Sequence, residues 1–377
     1  MRNTKNYRIG IIGTGFIARG LMLALQYDPQ LHVSLVLTRR PASTLTNLPV
    51  STKKITHNID RLIQESDLIV ECTGDVIYGT EVSEAVLLAG KPVVTMNAEL
   101  QLTSGTMLSR LGTFVEAEGD QPGSLAALDK EVKSMGFKPI VYGNIKGFLN
   151  LNPTKDEMEY WAKRQGISLD KVTAFTDGTK VQVEQALVAN GLGTTIASPG
   201  LTAFDCSSYE DGARFLGSLA DTIKQPISDY VVCKGAPAGV FIVATHDQEQ
   251  VPYLNYLKLG NGPHYVIIKP FHLCHLEIAK TIHHILAGDN KWAFNNGQTP
   301  QIQVIAVSKR EIKAGEKIKN AIGGFDLRGE SVKIKDNVNA VPIGLIQSAE
   351  ITKDIKPGEV VTFDHLALPQ TRALELW

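Results

Sequence analysis

A β-branched apolar run of Ile9, Ile11 and Ile12 enters the turn Gly13-Thr-Gly15-Phe16-Ile17-Ala18. An amphipathic segment carrying Leu21, Leu23, Ala24 and Leu25 leaves it. Gly13 and Gly15 allow the backbone to bend sharply and to approach a pyrophosphate, and Ala18 lets the following helix lie close to its strand. A strand, a Gly-x-Gly-x-x-Ala turn and a helix in this order are the context that a dinucleotide fingerprint needs. The expected ligand is therefore a nicotinamide dinucleotide held by Gly13, Gly15, Phe16, Ile17 and Ala18, against the alternative of a plain strand-turn-helix or another nucleotide.

Downstream, strand-like runs at 31–37, 68–71 and 92–96 alternate with helical patterns, among them residues 80–89. That alternation predicts an α/β fold with a doubly wound parallel sheet. Thr73, Gly74 and Asn97 fall at carboxyl ends of strands, where such sheets bind ligands, and are read as cofactor contacts. The second strand ends at Thr38-Arg39-Arg40. A carboxylate at this position would select a ribose 2′-hydroxyl, whereas two guanidinium groups and a hydroxyl suit a 2′-phosphate, so NADP(H) is expected over NAD(H). The competing reading is a solvated basic turn before Pro41.

Three domains are expected: residues 1–140 binding the cofactor, 141–300 forming a second α/β (α+β) catalytic domain, and 301–377 a small all-β domain. The helix at 272–287 is expected to return to the first of these. The third carries an internal repeat, with 309–318 and 352–361 sharing a Lys-Ala-Gly-Glu or Lys-Pro-Gly-Glu core, each read as strand, turn, strand. The formal net charge is −1 and no long basic run occurs, so neither nucleic acid nor an anionic membrane surface is an expected partner. A cytoplasmic protein is expected, acting on a small molecule as a homodimer or higher homo-oligomer. The four cysteines, at 72, 206, 233 and 274, have no paired spacing and are read as reduced thiols.

Hydride transfer to a carbonyl requires support for the developing alkoxide. In Phe175-Thr-Asp177-Gly-Thr-Lys180 and onward, the spacing predicts one helix to about residue 190, with Asp177, Lys180 and Glu184 on one face. Lys180 is the expected proton donor or acceptor. Asp177 would orient it or hold a substrate hydroxyl, and Lys146 would bind the oxygen or a phosphate. The bland alternative is an N-capping Asp177 with an exposed Lys180/Glu184 pair. A divalent cation (Mg or Mn), if isomerisation accompanies reduction, would draw on Glu99, Asp120 and Asp177. Glu99 is also a candidate catalytic group. His272, His275, His283 and His284 do not have zinc spacing.

Taken together, Gly13-x-Gly15-x-x-Ala18, Glu71-Cys-Thr-Gly-Asp75, Met96-Asn-Ala-Glu99, Gly119-Asp-Gln-Pro122, Asp177-Gly-Thr-Lys180, Lys269-Pro-Phe-His-Leu273 and the Lys-Pro-Gly-Glu tail resemble the homoserine-dehydrogenase-like oxidoreductases with a C-terminal SAF domain. That group includes the deoxyxylulose-phosphate reductoisomerase-like enzymes. The resemblance implies an NADP-dependent Rossmann domain, a dimerising α/β catalytic domain and a β-clip tail. Homoserine dehydrogenases carry a lysine where Ala98 stands here, and the reductoisomerase-like members share the Asn-x-Glu and Gly-Asp-Gln-Pro patterns. A reductase or reductoisomerase of a small sugar or polyol phosphate is the first expectation. A homoserine- or hydroxy-acid-type dehydrogenase and a non-catalytic NAD(P)-binding sensor are the alternatives.

Overall fold

The computed structural model describes residues 5–377, and the chain divides into two compact units. Unit 1 comprises Met1–Gly123, Leu273–Asn295 and Thr371–Trp377, and unit 2 comprises Ser124–His272 and Asn296–Gln370.

Unit 1 is built on six strands, β1 (Tyr7–Ile12), β2 (Leu31–Leu37), β3 (Ile55–Thr56), β4 (Leu68–Glu71), β5 (Val93–Thr95) and β6 (Phe114–Glu116). All pairings are parallel and the order is β3-β2-β1-β4-β5-β6, the doubly wound arrangement whose strand order reverses between β1 and β4. Period-two alternation divides the apolar residues between the two faces. Ile9, Ile11, Val70, Val94 and Val115 pack with Leu21 and Met22 of the helix Phe16–Ala24 and with Ile278, Ile282 and Ile285 of the helix Ile278–Leu286. Ile12, Leu35, Ile69, Val93 and Phe114 pack with Val82, Val86 and Leu87 of the helix Val76–Leu88. Each such fully buried side chain contributes about 1.5–3 kcal/mol of transfer free energy.

Unit 2 carries a mixed sheet of β7 (Lys138–Lys146), β8 (Phe204–Asp205), β9 (Ile227–Val232), β10 (Val240–Thr245) and β11 (Tyr265–Lys269), in the order β11-β10-β7-β9-β8. Leu125, Leu128 and Val132 of the helix Gln121–Ser134 join Tyr142, Val188, Val240 and Ile242 on one face. Ala213, Leu216 and Ala220 of the helix Tyr209–Ile223 join Val141, Ile145 and Val243 on the other. The division between units therefore falls at Gly123/Ser124, and not near 140 as expected, because the apolar face of the helix after Pro122 is buried with the second sheet.

The tail is not a separate third body. It folds as a ribbon of β12 (Ile302–Ser308) and β14 (Leu327–Lys333) with a three-stranded sheet of β13 (Lys317–Ile318), β15 (Ala349–Ile351) and β16 (Leu366–Ala367). Nor is it all β: its last residues form a helix, Arg372–Leu376, held in unit 1 by Arg372 donating to Glu84 at 2.6 and 2.7 Å. The repeat produces two matching turns. The Lys313 N–H donates to the Glu316 carboxylate at 2.6 Å and that of Lys356 to Glu359 at 2.8 Å, while Ile312 and Ile355 exchange backbone hydrogen bonds at 2.9 Å. After the first turn comes β13; the second leads only into isolated bridges through Val360 and Thr362.

Ties to the helix Thr179–Leu192 and to Asp177 just ahead of it bind the ribbon into unit 2. The Gly329 N–H donates to Thr179 Oγ1 at 2.9 Å, Ser331 N–H to Gln182 Oε1 at 2.8 Å, and Lys309 Nζ to Asp177 Oδ2 at 2.5 Å. The side chains of Lys309 and Asp177 are 4% and 0% exposed, and Lys309 also donates to the Gly324 carbonyl at 2.7 Å. Burial pushes the Asp177 carboxyl up and the Lys309 ammonium down, each opposed by the attraction of its partner. Removing one member of a buried pair leaves an uncompensated charge, at a cost of about 3–5 kcal/mol. Lys309→Met is thus expected to lower unfolding free energy by about that amount, and Lys309→Met with Asp177→Asn to recover most of it. Urea titration of the two variants measures this, and a single variant as stable as the unmutated protein would contradict the pairing.

Candidate functional site

The loop after β1 and the loop after β4 flank the point where unit 1's strand order reverses. Cys72 N–H donates to the Ile12 carbonyl at 2.9 Å and Gly13 N–H to Leu37 at 2.9 Å, which ties the two loops and β2 together. Gly13 has φ of 115°, and a Cβ there would meet the Cys72 carbonyl oxygen at 2.8 Å, so the fold itself requires glycine. Gly15 is different: its φ is −78°, and a Cβ built on it meets nothing within 4 Å. The fold leaves that space open at the first turn of a helix, where backbone N–H groups favour an anion. Thr14 is buried and its hydroxyl lies 3.5 Å from that of Thr38; Phe16 is exposed, Ile17 half-buried and Ala18 buried against the sheet. These residues fit a dinucleotide.

At the end of β2, Arg39 and Arg40 are exposed. The Arg39 guanidinium stacks 4.0 Å from the Tyr78 ring centroid and donates to Asp75 at 2.7 Å. Asp75 caps the helix Val76–Leu88 with its other oxygen, which accepts the Tyr78 N–H at 3.1 Å. Thr73 is turned inward, its N–H and hydroxyl both donating to Glu71 at 2.7 and 2.5 Å. Thr95 donates to the other Glu71 oxygen at 2.6 Å. Burial pushes the Glu71 carboxyl up, and these donors oppose the shift. Gly74 is exposed, and Asn97 is buried, capping the short helix Ala98–Leu100 by accepting the Leu100 N–H at 3.1 Å.

In unit 2, β7 ends in Asn144 and Lys146, two residues apart and so on one face. Both donate to Glu184 Oε2, Asn144 Nδ2 at 2.9 Å and Lys146 Nζ at 3.1 Å. Glu184 is 1% exposed and Lys146 is 18% exposed, so a buried carboxylate holds an ammonium that reaches the surface. Glu184 lies in the helix Thr179–Leu192. Lys180, in the first turn of that helix and half-buried, is four residues ahead of Glu184 and shares its face. Lys269 ends β11 in register with Val240, itself in register with Asn144, which places Lys269 on the same face; its Nζ donates to buried Ser124 at 3.3 Å. Three lysines are therefore placed on the face that carries the buried Glu184 carboxylate, an arrangement suited to an anionic ligand bearing a carbonyl or hydroxyl.

Asp177 does not belong to this set. It ends the helix Leu169–Thr176, Gly178 with φ of 83° separates it from the next helix, and its oxygens are taken by Thr179 N–H and Lys309. The single helix expected from 175 onward is thus two helices, and the shared face of Asp177 with Lys180 is lost at the break. Of the other proposed metal ligands, Asp120 accepts the Gln121 N–H at 3.1 Å. Among the described residues, no group of three or more His, Cys, Asp or Glu side chains is placed to hold a metal ion. Lys269 had no spacing signal pointing to it; only the register of β11 on β10 brings it to Asn144.

Residues 13–119 match the model of the homoserine dehydrogenase NAD-binding domain, and residues 119–278 match that of the oxidoreductase DRL catalytic domain. The chain is an NAD(P)-dependent oxidoreductase. Solved structures similar to this oxidoreductase include UDP-N-acetylglucosamine 3-dehydrogenase GnnA from Acidithiobacillus ferrooxidans, at 11% identity and TM-score 0.44, covering 77% of this chain and 92% of that one. Another is apo scyllo-inositol dehydrogenase from Lactobacillus casei, at 12% identity and TM-score 0.42, covering 76% and 89%. A third is a dehydrogenase from Clostridium difficile, at 13% identity and TM-score 0.43, covering 76% and 92%. No curated protein matches the sequence. No helix among the described residues is long and apolar enough to cross a membrane.

Proposed function

We propose that this oxidoreductase interconverts a carbonyl and a hydroxyl on a small sugar or polyol phosphate, using NADP(H) in preference to NAD(H). The observation that carries the reading is the Lys146–Glu184–Asn144 cluster at the end of β7, with Lys180 and Lys269 on the same face. The cofactor supplies or accepts the hydride. Lys146, held by Glu184, donates a hydrogen bond to the substrate oxygen and supports the charge that develops there. Lys180 and Lys269 supply the positive charge that an anionic substituent requires. Asp177, one of the expected cation ligands, is committed to Lys309.

Arg39 and Arg40 support the cofactor preference, Arg39 being stacked on Tyr78 and 60% exposed. A charge-assisted hydrogen bond to phosphate contributes about 1.5–3 kcal/mol. Arg39→Ala with Arg40→Ala is expected to weaken NADPH about tenfold or more and to leave NADH almost unchanged. Calorimetric titration with both cofactors checks it, and equal binding of the two by the unmutated protein would contradict the preference.

A further inference from the structure

Cys206 and Cys233 are far apart in the chain and adjacent in the fold. β8 pairs in parallel with β9 through Phe204 with Val231 and Asp205 with Val232. Extending that register by one residue sets Cys206 beside Cys233, and the Cys206 N–H still donates to the Val232 carbonyl at 2.9 Å. Neighbouring strands lie about 4.8 Å apart, within the Cα separations of about 4.4–6.8 Å that a disulfide spans. Both residues follow the last paired residue of their strands, where the backbone is less constrained by the ladder. The Cys206 thiol donates to the Val232 carbonyl at 3.7 Å, and burial, with Cys233 beside it, pushes that thiol up to about 11. Cys206 is half-buried on the edge strand of the sheet, Cys233 is buried, and neither is in a disulfide.

We propose that Cys206 and Cys233 form a reversible dithiol–disulfide site whose state is transmitted to Lys146. The transmission is backbone: the Cys233 N–H donates to the Lys146 carbonyl at 2.7 Å, directly behind the ammonium that Glu184 holds. The oxidant is a small-molecule disulfide of the glutathione type. One thiol loses its proton to solvent and attacks it as the thiolate, giving a mixed disulfide and a leaving thiolate that takes up a proton to become one thiol. The second thiolate then displaces the remaining half, so two protein thiols are oxidised to one disulfide and the reagent disulfide is reduced to two thiols. The consequence for Lys146 rests on the function proposed above; the disulfide itself does not.

The test uses the full chain incubated with oxidised glutathione and then digested without reduction for mass spectrometry. A cross-linked peptide pair joining Cys206 to Cys233 is expected, reversed by dithiothreitol and absent from Cys206→Ser. Hydrogen exchange on the same sample should show the Cys233 region exchanging about tenfold faster or more once oxidised, as its hydrogen bond to Lys146 is strained. Glutathione remaining on Cys206 with no internal bridge would overturn the proposal, as would a bridge to Cys72 or Cys274. A Cys206–Cys233 bridge that leaves exchange unchanged would overturn the transmission to Lys146. A bridge with altered exchange but unaltered turnover would count against Lys146 as the reacting lysine and leave the dithiol site standing.

Discussion

Gly15→Val is expected to lose nicotinamide dinucleotide binding, by at least about a hundredfold or about 2.7 kcal/mol, while unit 1 stays folded. The reasoning is specific to that position. Its φ of −78° suits any residue and, beyond its own chain neighbours and helix backbone, a new Cβ meets nothing within 4 Å, so the branched side chain starts into space that the fold leaves open. Valine replaces glycine as a helix N-cap, which limits the stability change to about 1 kcal/mol. Gly13→Val is the control with the opposite signature: at φ of 115° and 2.8 Å from the Cys72 oxygen, it should lower stability first. Calorimetric titration and thermal unfolding of both variants separate the two cases. Retained cofactor affinity in Gly15→Val would make the turn a purely structural element.

The second large effect is at the end of β7. Lys146→Met is expected to reduce kcat by about 10²–10⁴, the range for losing a positioned acid or base, with cofactor affinity unchanged. Glu184→Gln keeps the shape of the side chain and removes the charge that fixes Lys146, so its expected kcat loss is smaller and KM changes little. Lys180→Ala separates two roles. If Lys180 binds the anionic substituent, KM rises and kcat largely survives. A kcat loss in Lys180→Ala that matched Lys146→Met would move the proton-donor role to Lys180. Steady-state kinetics with the substrate found by the screen described below gives both parameters.

Much of unit 1 was legible because its signals are local. The β-branched run, the two glycines and Ala18 lie within ten residues, and period-two alternation assigns Ile9 and Ile11 to one face and Ile12 to the other. The basic ending of β2 was visible for the same reason, although nothing in the sequence indicated that Asp75 would hold Arg39 against Tyr78. What was not legible depends on long-range pairing. Asp177 matched Lys180 in spacing, but a left-handed Gly178 breaks the helix between them and Lys309, from the tail, takes the carboxylate. The tail's repeat announced its turns; its attachment to Thr179 and Gln182 lies in the register of β14 against a helix formed about 150 residues earlier. Lys269 and the Cys206–Cys233 pair likewise become neighbours only through sheet register.

On the proposed function, the lysines on the face of the buried Glu184 carboxylate support reduction of a phosphorylated carbonyl compound with NADPH. The direct measurement is the loss of nicotinamide absorbance with purified protein against matched pairs of keto- and aldo-compounds, each as the phosphate and as the free sugar or polyol precursor. The predicted result is NADPH consumption with a phosphorylated member, at least about tenfold slower with its unphosphorylated partner at the same concentration, and abolished in Lys146→Met. Equal rates with and without phosphate, or full consumption by Lys146→Met, would contradict it.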